Sequence, residues 1–244
     1  MIDGSLTESP VGAPADSRPT RSRVLVISGS GIAAILLLVG VGMAMTASRS
    51  WTAREMNVLE AVSRAHVAAL DALALAINTL FSPRVAATIV VMVAVIIWVV
   101  TRRLRTTVQF VGIVSGSWLG TDAIKVLVHR PRPDGSLLAH PLIHEASNSY
   151  PSGHTAFAAS LALTLIVLAR GRRWQPAIVV IGAASAVVVA WSRVYLGVHY
   201  VSDVTASLVY SVVVVSTLSV LWERFAATAP VWDRAARRPV SRLD

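Results

Sequence analysis

Two apolar stretches separated by a short arginine cluster occupy residues 85–128, which read VAATIVVMVAVIIWVVTRRLRTTVQFVGIVSGSWLGTDAIKVLV. The first stretch, 85–101, has no charged residue, and the second, 106–128, has only Asp122 and Lys125. An apolar run of about 20 residues is long enough to cross the hydrocarbon core of a bilayer as one helix. Arginines between two such runs are typical of a cytoplasmic turn. This segment therefore predicts two antiparallel membrane-spanning helices.

The same alternation continues along the chain, with further apolar runs at 24–45, 154–169, 176–191 and 204–222. The chain of 244 residues is 55% hydrophobic and 14% charged, whereas soluble domains are about 25% charged. We therefore expect an all-α bundle of six transmembrane helices in one domain, 24–223. The first run is longer than the apolar core of a signal peptide, so we expect it to be retained. The flanks 1–23 and 224–244 are expected to be a disordered and a basic cytoplasmic tail.

The segment 48–83, between the first two predicted spans, has mixed polarity. Its apolar side chains and one histidine recur at helical spacing among charged residues and form one stripe, which consists of Leu59, Val62, His66, Leu70, Leu73, Ile77 and Leu80. A single apolar stripe is typical of a helix that lies on a surface. We therefore expect an amphipathic helix or helices at the membrane surface.

Arginine placement predicts the orientation of the bundle. With both termini in the cytoplasm, six spans place fourteen of the 22 basic residues on that side, namely Arg18, Arg21, Arg23, Arg102, Arg103, Arg105, Arg170, Arg172, Arg173, Arg224, Arg234, Arg237, Arg238 and Arg242. A seventh span at 48–83 would move later clusters outside, against the positive-inside rule. The Ala-, Val- and Arg-rich, Lys-poor composition is typical of a high-GC bacterial genome. We therefore expect a bacterial-type plasma membrane protein.

Composition also argues against several classes of function. The net charge of +9 comes from residues that punctuate apolar segments rather than form a patch, and no nucleic-acid-binding motif is present, so we expect no nucleic-acid partner. The absence of cysteine excludes disulfides, thiolate catalysis and thiolate metal sites.

Gly112, Gly116 and Gly120 form a GxxxG face, which predicts close packing of the third span against another helix.

Three groups of polar residues fall on the outer side of the six-span arrangement. The first is Lys125 with Arg130-Pro131-Arg132-Pro133, the second is Pro151-Ser152-Gly153-His154, and the third is Ser192-Arg193 with His199 and Asp203. Lys125, Arg132 and Arg193 have few acids near them in the sequence, Asp122 being one candidate partner. Uncompensated cations at an apolar boundary predict an anionic ligand, and arginine matches phosphate oxygens.

The two remaining motifs fit the same chemistry. Ser152 and Gly153 precede an apolar run and predict a helix start, where main-chain N–H groups bind anions. His199 and Asp203 are four residues apart, so on a helix they share a face, and the carboxylate can orient a nucleophilic imidazole. Taken singly, each motif is also compatible with a purely structural role. For Ser152 and Gly153 that role is a plain helix cap, and for His199 and Asp203 it is a hydrogen bond without chemistry. His140 and His144 lie in a proline-containing loop without an acidic cluster, so we expect no metal site.

Together the three groups resemble the three-part signature of the type-2 phosphatidic acid phosphatase superfamily, which also contains the vanadium haloperoxidases. Lys125 is followed after six residues by Arg132-Pro133, and Ser192-Arg193 is followed by His199 and then Asp203. The resemblance implies that His199 attacks phosphorus and Asp203 orients it. It implies that His154 acts as acid and base, and that the phosphate is bound by Lys125, Arg132, Ser152, Gly153 and Arg193. No metal or other cofactor is implied.

These observations predict a membrane phosphatase of the lipid-phosphate branch, with its active site on the extracytoplasmic face. The expected partners are the bilayer and a lipid phosphate or diphosphate of the polyprenyl diphosphate, phosphatidylglycerol phosphate or phosphatidic acid type. A phosphotransferase with the same site is one alternative, and acceptor competition separates it from a hydrolase. An anion transporter is another, although no internal repeat supports it. A haloperoxidase is a third alternative, which would require bound vanadate and halide oxidation. The sequence does not predict the oligomeric state.

Overall fold

The computed structural model describes residues 20–228, and within that range it contains α-helices and one short 3₁₀ turn but no strand. The helices are α1 (Arg21–Ala47), α2 (Arg49–Arg64), α3 (Ala68–Leu80), α4 (Pro83–Thr101), α5 (Leu104–Val128), α6 (Gly153–Leu168), α7 (Gln175–Tyr195) and α8 (Val201–Thr228). The all-α prediction is therefore confirmed. Helix α1 begins before the predicted boundary at 24 and α8 continues past 223, while the rest of both predicted tails lies outside the described residues.

Five helices, α1, α4, α5, α7 and α8, are long and apolar enough to cross a membrane. The sixth predicted span corresponds to α6, which has 16 residues. At about 1.5 Å per residue this helix is roughly 24 Å long, which is less than the hydrocarbon core of about 30 Å. The fold is thus that of an integral membrane protein with five candidate spans, and the predicted count of six is not confirmed.

Helix α6 occupies the interior of the bundle, where it packs against α5, α7 and α8. Its sequence is rich in small residues, and Ala156, Ala158, Ala159 and Ser160 are buried. Small side chains let neighbouring helices approach closely. A β-carbon added at Gly182 of α7 would lie 2.9 Å from the Ala162 β-carbon. Helix α6 is therefore enclosed by protein.

Hydroxyl groups join α5, α6 and α8 inside the bundle. The Oγ atoms of Ser117 and Ser160 are 2.7 Å apart, and Ser160 donates to Ser211 Oγ at 3.2 Å. The predicted glycine face contributes to this packing, because Gly120 leaves room for the hydroxyl of Tyr210, which donates to the Ser117 carbonyl at 2.9 Å. Interhelical hydrogen bonds of this kind hold helices together where there is no water.

The mixed segment 48–83 forms two helices, α2 and α3, which pack against the end of α7. Between them, the ring of His66 stacks on Tyr195 with centroids 4.1 Å apart, and His66 Nε2 lies 2.8 Å from the Tyr195 carbonyl oxygen. The buried side chains of α2 include Glu55 as well as Leu59. The two helices are therefore fixed to the same end of the bundle as the predicted site.

Helix direction explains why the three sequence groups meet. Helices α5 and α7 end, and α6 and α8 begin, at one end of the bundle. The α4–α5 and α6–α7 turns, which carry Arg102, Arg103, Arg170, Arg172 and Arg173, consequently lie at the other end. The polar residues and the arginine clusters are thus separated along the helix axes, as the hydropathy pattern predicts.

Candidate active site

The His199–Asp203 pair is built at the start of α8. The condition for a shared helix face is not met, because α8 begins at Val201 and His199 precedes it. Asp203 is the third helical residue, and its Oδ2 accepts from the Tyr200 main-chain N–H at 2.9 Å, as the acid of a capping box does. The same oxygen lies 3.4 Å from His199 Nδ1. The cap therefore brings the carboxylate to the imidazole, and both side chains are buried.

The second ring nitrogen of His199 faces Arg132. Arg132 Nη1 lies 3.0 Å from His199 Nε2 and also donates to the Val198 carbonyl at 2.7 Å. A guanidinium has no acceptor, so Nε2 carries the lone pair and Nδ1 carries the proton. Burial, followed by the charges of Arg132 and Arg193, lowers the pKa of His199 well below its ordinary value. His199 is therefore a neutral imidazole whose lone pair points into the cationic part of the site.

Glu145 occupies the centre of this cationic part. Its Oε2 lies 2.6 Å from Arg132 Nη2, and its Oε1 accepts from Arg193 Nη2. The expectation of uncompensated cations is therefore wrong for both arginines. Among residues 20–228, no ion pair or hydrogen bond engages the ammonium group of Lys125, and this includes its predicted partner Asp122. Glu145 lies in the loop that follows Arg132, and no motif or residue spacing in the sequence marks it.

The charge state of Glu145 follows from its neighbours. Burial alone would raise the pKa of Glu145, but Arg193 and Arg132 outweigh it and lower the pKa to about 2. His199 and His154 lie close enough to Glu145 to lower its pKa further whenever these imidazoles are protonated. Glu145 is thus an anion held between two guanidinium groups and beside two imidazoles.

The start of α6 forms the opposite wall of the site. Ser152 caps the helix, its Oγ accepting from the Thr155 main-chain N–H at 3.4 Å. Among the described residues the N–H groups of Gly153 and His154 have no acceptor, as expected for the first turn of a helix. A side chain at Gly153 would place its first carbon 4.0 Å from Lys125 Nζ. Lys125 Nζ therefore lies beside the start of α6.

His154 and Arg193 share a neighbour on α3. The imidazole of His154 lies near the main chain of Asn78, and the side-chain oxygen of Asn78 accepts from Arg193 Nη1. His154 Nε2 is buried and has no hydrogen-bond partner within the described part of the chain. Asn78 lies on α3, in the segment 48–83, where the sequence pattern indicates only an apolar stripe. A buried imidazole nitrogen without a partner is free to exchange a proton with a substrate.

This arrangement of two histidines, an aspartate and three cations coincides with a family match. Residues 106–226 match the family model described as the PAP2 superfamily. The segment 106–226 belongs to the PAP2 superfamily. It is 41% identical over 98 residues to phosphatidylglycerophosphatase B of Bacillus subtilis (strain 168), which covers 35% of this chain and 45% of that protein. It is 34% identical over 112 residues to undecaprenyl-diphosphatase BcrC of the same strain, which covers 45% of this chain and 55% of the relative.

These matches span about half the length of the curated PAP2 relatives. The structural match covers a larger share of the chain than these sequence matches. A crystal structure of a transmembrane PAP2-type phosphatidylglycerolphosphate phosphatase from Bacillus subtilis superposes with a TM-score of 0.65 at 22% identity and covers 81% of this chain and 96% of that one. The chain therefore has the PAP2 membrane fold, and its predicted site residues lie inside the matched segment.

Two histidines of the loop between α5 and α6 make their described contacts outside the candidate site. His140 lies with its ring centroid 6.0 Å from that of His66, and its main-chain N–H donates to Ser63 Oγ at 2.9 Å. His144 packs beside Gly135. In the described range no three His, Asp or Glu side chains are grouped closely enough to hold a metal ion. The absence of a metal requirement stays a prediction.

Proposed function

We propose that this protein is an integral membrane hydrolase that removes phosphate from lipid phosphates or diphosphates through a phosphohistidine at His199, without a metal ion. One observation carries the proposal: the lone pair of His199 Nε2 faces the cations while Asp203 lies at the other nitrogen. The named relatives are a phosphatidylglycerophosphatase and an undecaprenyl-diphosphatase. They support substrates of the phosphatidylglycerol phosphate or polyprenyl diphosphate type, alongside phosphatidic acid.

Substrate binding replaces one anion by another. Glu145 holds Arg132 and Arg193 with its two oxygens, as two oxygens of a phosphate would. The substrate phosphate displaces this carboxylate and brings its remaining oxygens to Lys125 and to the free N–H groups at the start of α6. Ser152 and Gly153 act by capping this helix and by keeping it open to the phosphate.

The first chemical step transfers the phosphoryl group to the enzyme. His199 Nε2 attacks phosphorus, a P–N bond forms, and the P–O bond to the leaving group breaks. His154 gives its proton to the leaving oxygen, and the two charges of the bound phosphate favour the protonated form of His154 beforehand. Asp203 balances the positive charge that develops on His199. Arg132 releases Nε2 and donates to the phosphate oxygens instead.

The second step returns the enzyme to its starting state. His154, now neutral, takes a proton from water while the water oxygen attacks phosphorus. The P–N bond breaks, its electron pair returns to His199 Nε2, and phosphate leaves. Arg132, Arg193 and Lys125 donate to the equatorial oxygens in both steps, where charge accumulates.

The placement in the membrane is part of the proposal. Helix α6 acts as the sixth span, and its short length is accommodated because protein surrounds it. The arginine-bearing turns face the cytoplasm under the positive-inside rule, which puts the site at the extracytoplasmic face. Helices α2 and α3 lie at that surface. A lipid headgroup then reaches the site while its tail stays in the bilayer.

Phosphate release by the purified protein from a panel of these lipids, with chelator present, tests the proposal. We expect release from at least one lipid, unchanged by the chelator and abolished in His199→Ala. Strict metal dependence or full activity of His199→Ala would overturn the mechanism. Added alcohol acceptors separate hydrolysis from phosphotransfer, because a hydrolase needs only water.

A further inference from the structure

Arg130 is a buried arginine that the phosphate-binding signature does not use. Its side chain is 1% exposed. Its Nη1 donates to Asp203 Oδ1 at 2.7 Å and to Ser202 Oγ at 2.6 Å, and its guanidinium lies 4.2 Å from the centroid of the Tyr200 ring. A buried guanidinium with such partners has one fixed orientation. Arg130 thus holds one oxygen of Asp203 while His199 lies at the other.

Glu55 of α2 holds Arg130 from the far side. Arg130 Nη2 donates to Glu55 Oε2 at 2.6 Å. The main-chain N–H of Ser202 donates to Glu55 Oε1 at 2.8 Å, and Ser202 Oγ and Trp51 Nε1 both donate to Oε2 at 2.8 Å. The carboxylate therefore ties α2 to the first turn of α8, next to Asp203. Every contact fixes its position, which is unusual for an acid on a surface helix.

Arg130 contacts the Asp203 carboxylate of the catalytic pair rather than the phosphate-binding residues. The described contacts of its guanidinium are Glu55, Ser202, Asp203 and Tyr200. They do not include the phosphate-binding cations. Removal of Arg130 should therefore change how Asp203 serves His199 and leave phosphate affinity alone.

We propose that Glu55 and Arg130 are positioning residues, which hold Asp203 with Oδ2 toward His199 Nδ1 during phosphoryl transfer. This inference rests on the proposed function of the same site. A carboxylate that is held through one oxygen alone can rotate about its Cβ–Cγ bond. His199 and Tyr200 contact Oδ2 of Asp203, and the bond from Arg130 to Oδ1 prevents that rotation. The amphipathic segment is thereby part of the catalytic apparatus through Glu55, as well as through Asn78.

Charge gives Glu55 a second effect. Arg130 alone would balance the charge of Asp203, and a neutral Arg130–Asp203 ion pair would stabilise a positively charged His199 poorly. Two carboxylates share the one guanidinium, so the group of Glu55, Arg130 and Asp203 keeps a net charge of about −1 beside the imidazole. That charge is useful only when His199 becomes positive, which happens as the P–N bond forms. The expected defect is therefore in kcat.

The test compares Glu55→Gln, Arg130→Met and Arg130→Lys with wild-type protein in lipid phosphate hydrolysis. We expect kcat to fall about 10- to 100-fold, the scale seen for outer partners of functional histidines at metal sites. The KM and the inhibition constant of inorganic phosphate should not change. Arg130→Lys should recover part of kcat. Glu60→Gln is the matched control on α2, because within residues 20–228 Glu60 pairs only with exposed Arg64, at 3.7 Å.

A double-variant cycle separates positioning from general stabilisation of the fold. If Arg130 acts through Asp203, Arg130→Met should cause almost no further loss of kcat in an Asp203→Asn background. A full additional loss there, or a raised inhibition constant for phosphate, would overturn the inference. Glu55→Gln keeps the side-chain volume and provides the measurement if Arg130→Met does not fold. Wild-type kcat in all three variants would overturn only this inference, whereas an inactive wild type would overturn the proposed function as well.

Discussion

Arg132 Nη1 lies 3.0 Å from His199 Nε2, the nitrogen that would attack phosphorus. The same guanidinium is held by the Ser147 carbonyl at 2.8 Å and by Glu145 at 2.6 Å. Arg132 therefore covers the nucleophile and fixes its tautomer until a phosphate takes its place. A substrate must change the partners of Arg132 and Glu145 together, and mutations that separate these two effects are informative.

Replacement of Glu145 by glutamine should strengthen phosphate binding. The carboxylate competes with the substrate for Arg132 and Arg193, and a neutral amide competes less. We expect the inhibition constant of inorganic phosphate to fall roughly three- to tenfold, or ~1 kcal/mol. Asp134→Asn is the matched control, since it removes the same charge from an exposed position in the same loop. An increased inhibition constant in Glu145→Gln would show instead that Glu145 holds the arginines in a productive arrangement.

Truncation of Arg193 should slow the chemical step. Arg193 is fully buried and bonds to Asn78 and Glu145, so it is fixed before the substrate arrives. Loss of a preorganised donor to the transition state costs about 10²–10³ in kcat, and this is the decrease expected for Arg193→Ala. Arg105→Ala, an exposed arginine at the other end of the bundle, should have no effect.

The same truncation also leaves Glu145 with one partner fewer, which needs its own control. The double variant Arg193→Ala/Glu145→Gln should remain slow if Arg193 acts on the transition state. Recovery of the wild-type rate in the double variant would assign the defect to the unpaired carboxylate. An unchanged rate in Arg193→Ala alone would mean that Arg193 is only an anchor at the membrane boundary.

Local patterns account for what the sequence predicted correctly. Hydropathy is a property of neighbouring residues, so the predicted span 106–128 agrees closely with α5, Leu104–Val128. Once the helices alternate in direction, Lys125, His154, Arg193 and His199 must meet at one end. The assignment of six spans went further than hydropathy allows, because α6 is short and its burial depends on its neighbours.

Long-range pairs account for what the sequence did not predict. Glu145 lies in a loop without periodicity and pairs with Arg193, 48 positions further along the chain. Glu55 reads as one of several charges on an amphipathic helix, yet its partner Arg130 is 75 positions away. No spacing rule connects such positions, and an acid on a surface helix is normally solvated. Only the folded arrangement shows that Glu145 contacts predicted site residues and that Glu55 reaches Asp203 through Arg130.

Removal of His154 should depend on the leaving group. His154 donates a proton to the leaving oxygen in the proposed mechanism, so its loss matters most when that oxygen is a poor leaving group. We expect His154→Ala to lose about 10²–10⁴ in rate with an alkyl phosphate and clearly less with an aryl phosphate. Equal losses with both substrates would argue against the acid role.

The pH dependence of kcat/KM should respond in opposite directions to two charge changes near His199. Its pKa is lowered by burial and by Arg132, Arg193 and Lys125, whereas Glu145 raises it. The neutral imidazole is the nucleophile, so activity is lost as pH falls through this lowered pKa. Lys125→Met removes a charge that lowers the pKa, and the acid limb should move to higher pH by roughly one unit or less.

Glu145→Gln has the opposite sign, because it removes the carboxylate that raises the pKa of His199. Its acid limb should stay in place or move to lower pH. Both variants and the wild type are measured with one lipid phosphate, so ionisation of the substrate affects the three curves equally and their differences report the enzyme. An acid limb that is identical in Lys125→Met and Glu145→Gln would mean that a group other than His199 limits the reaction at low pH.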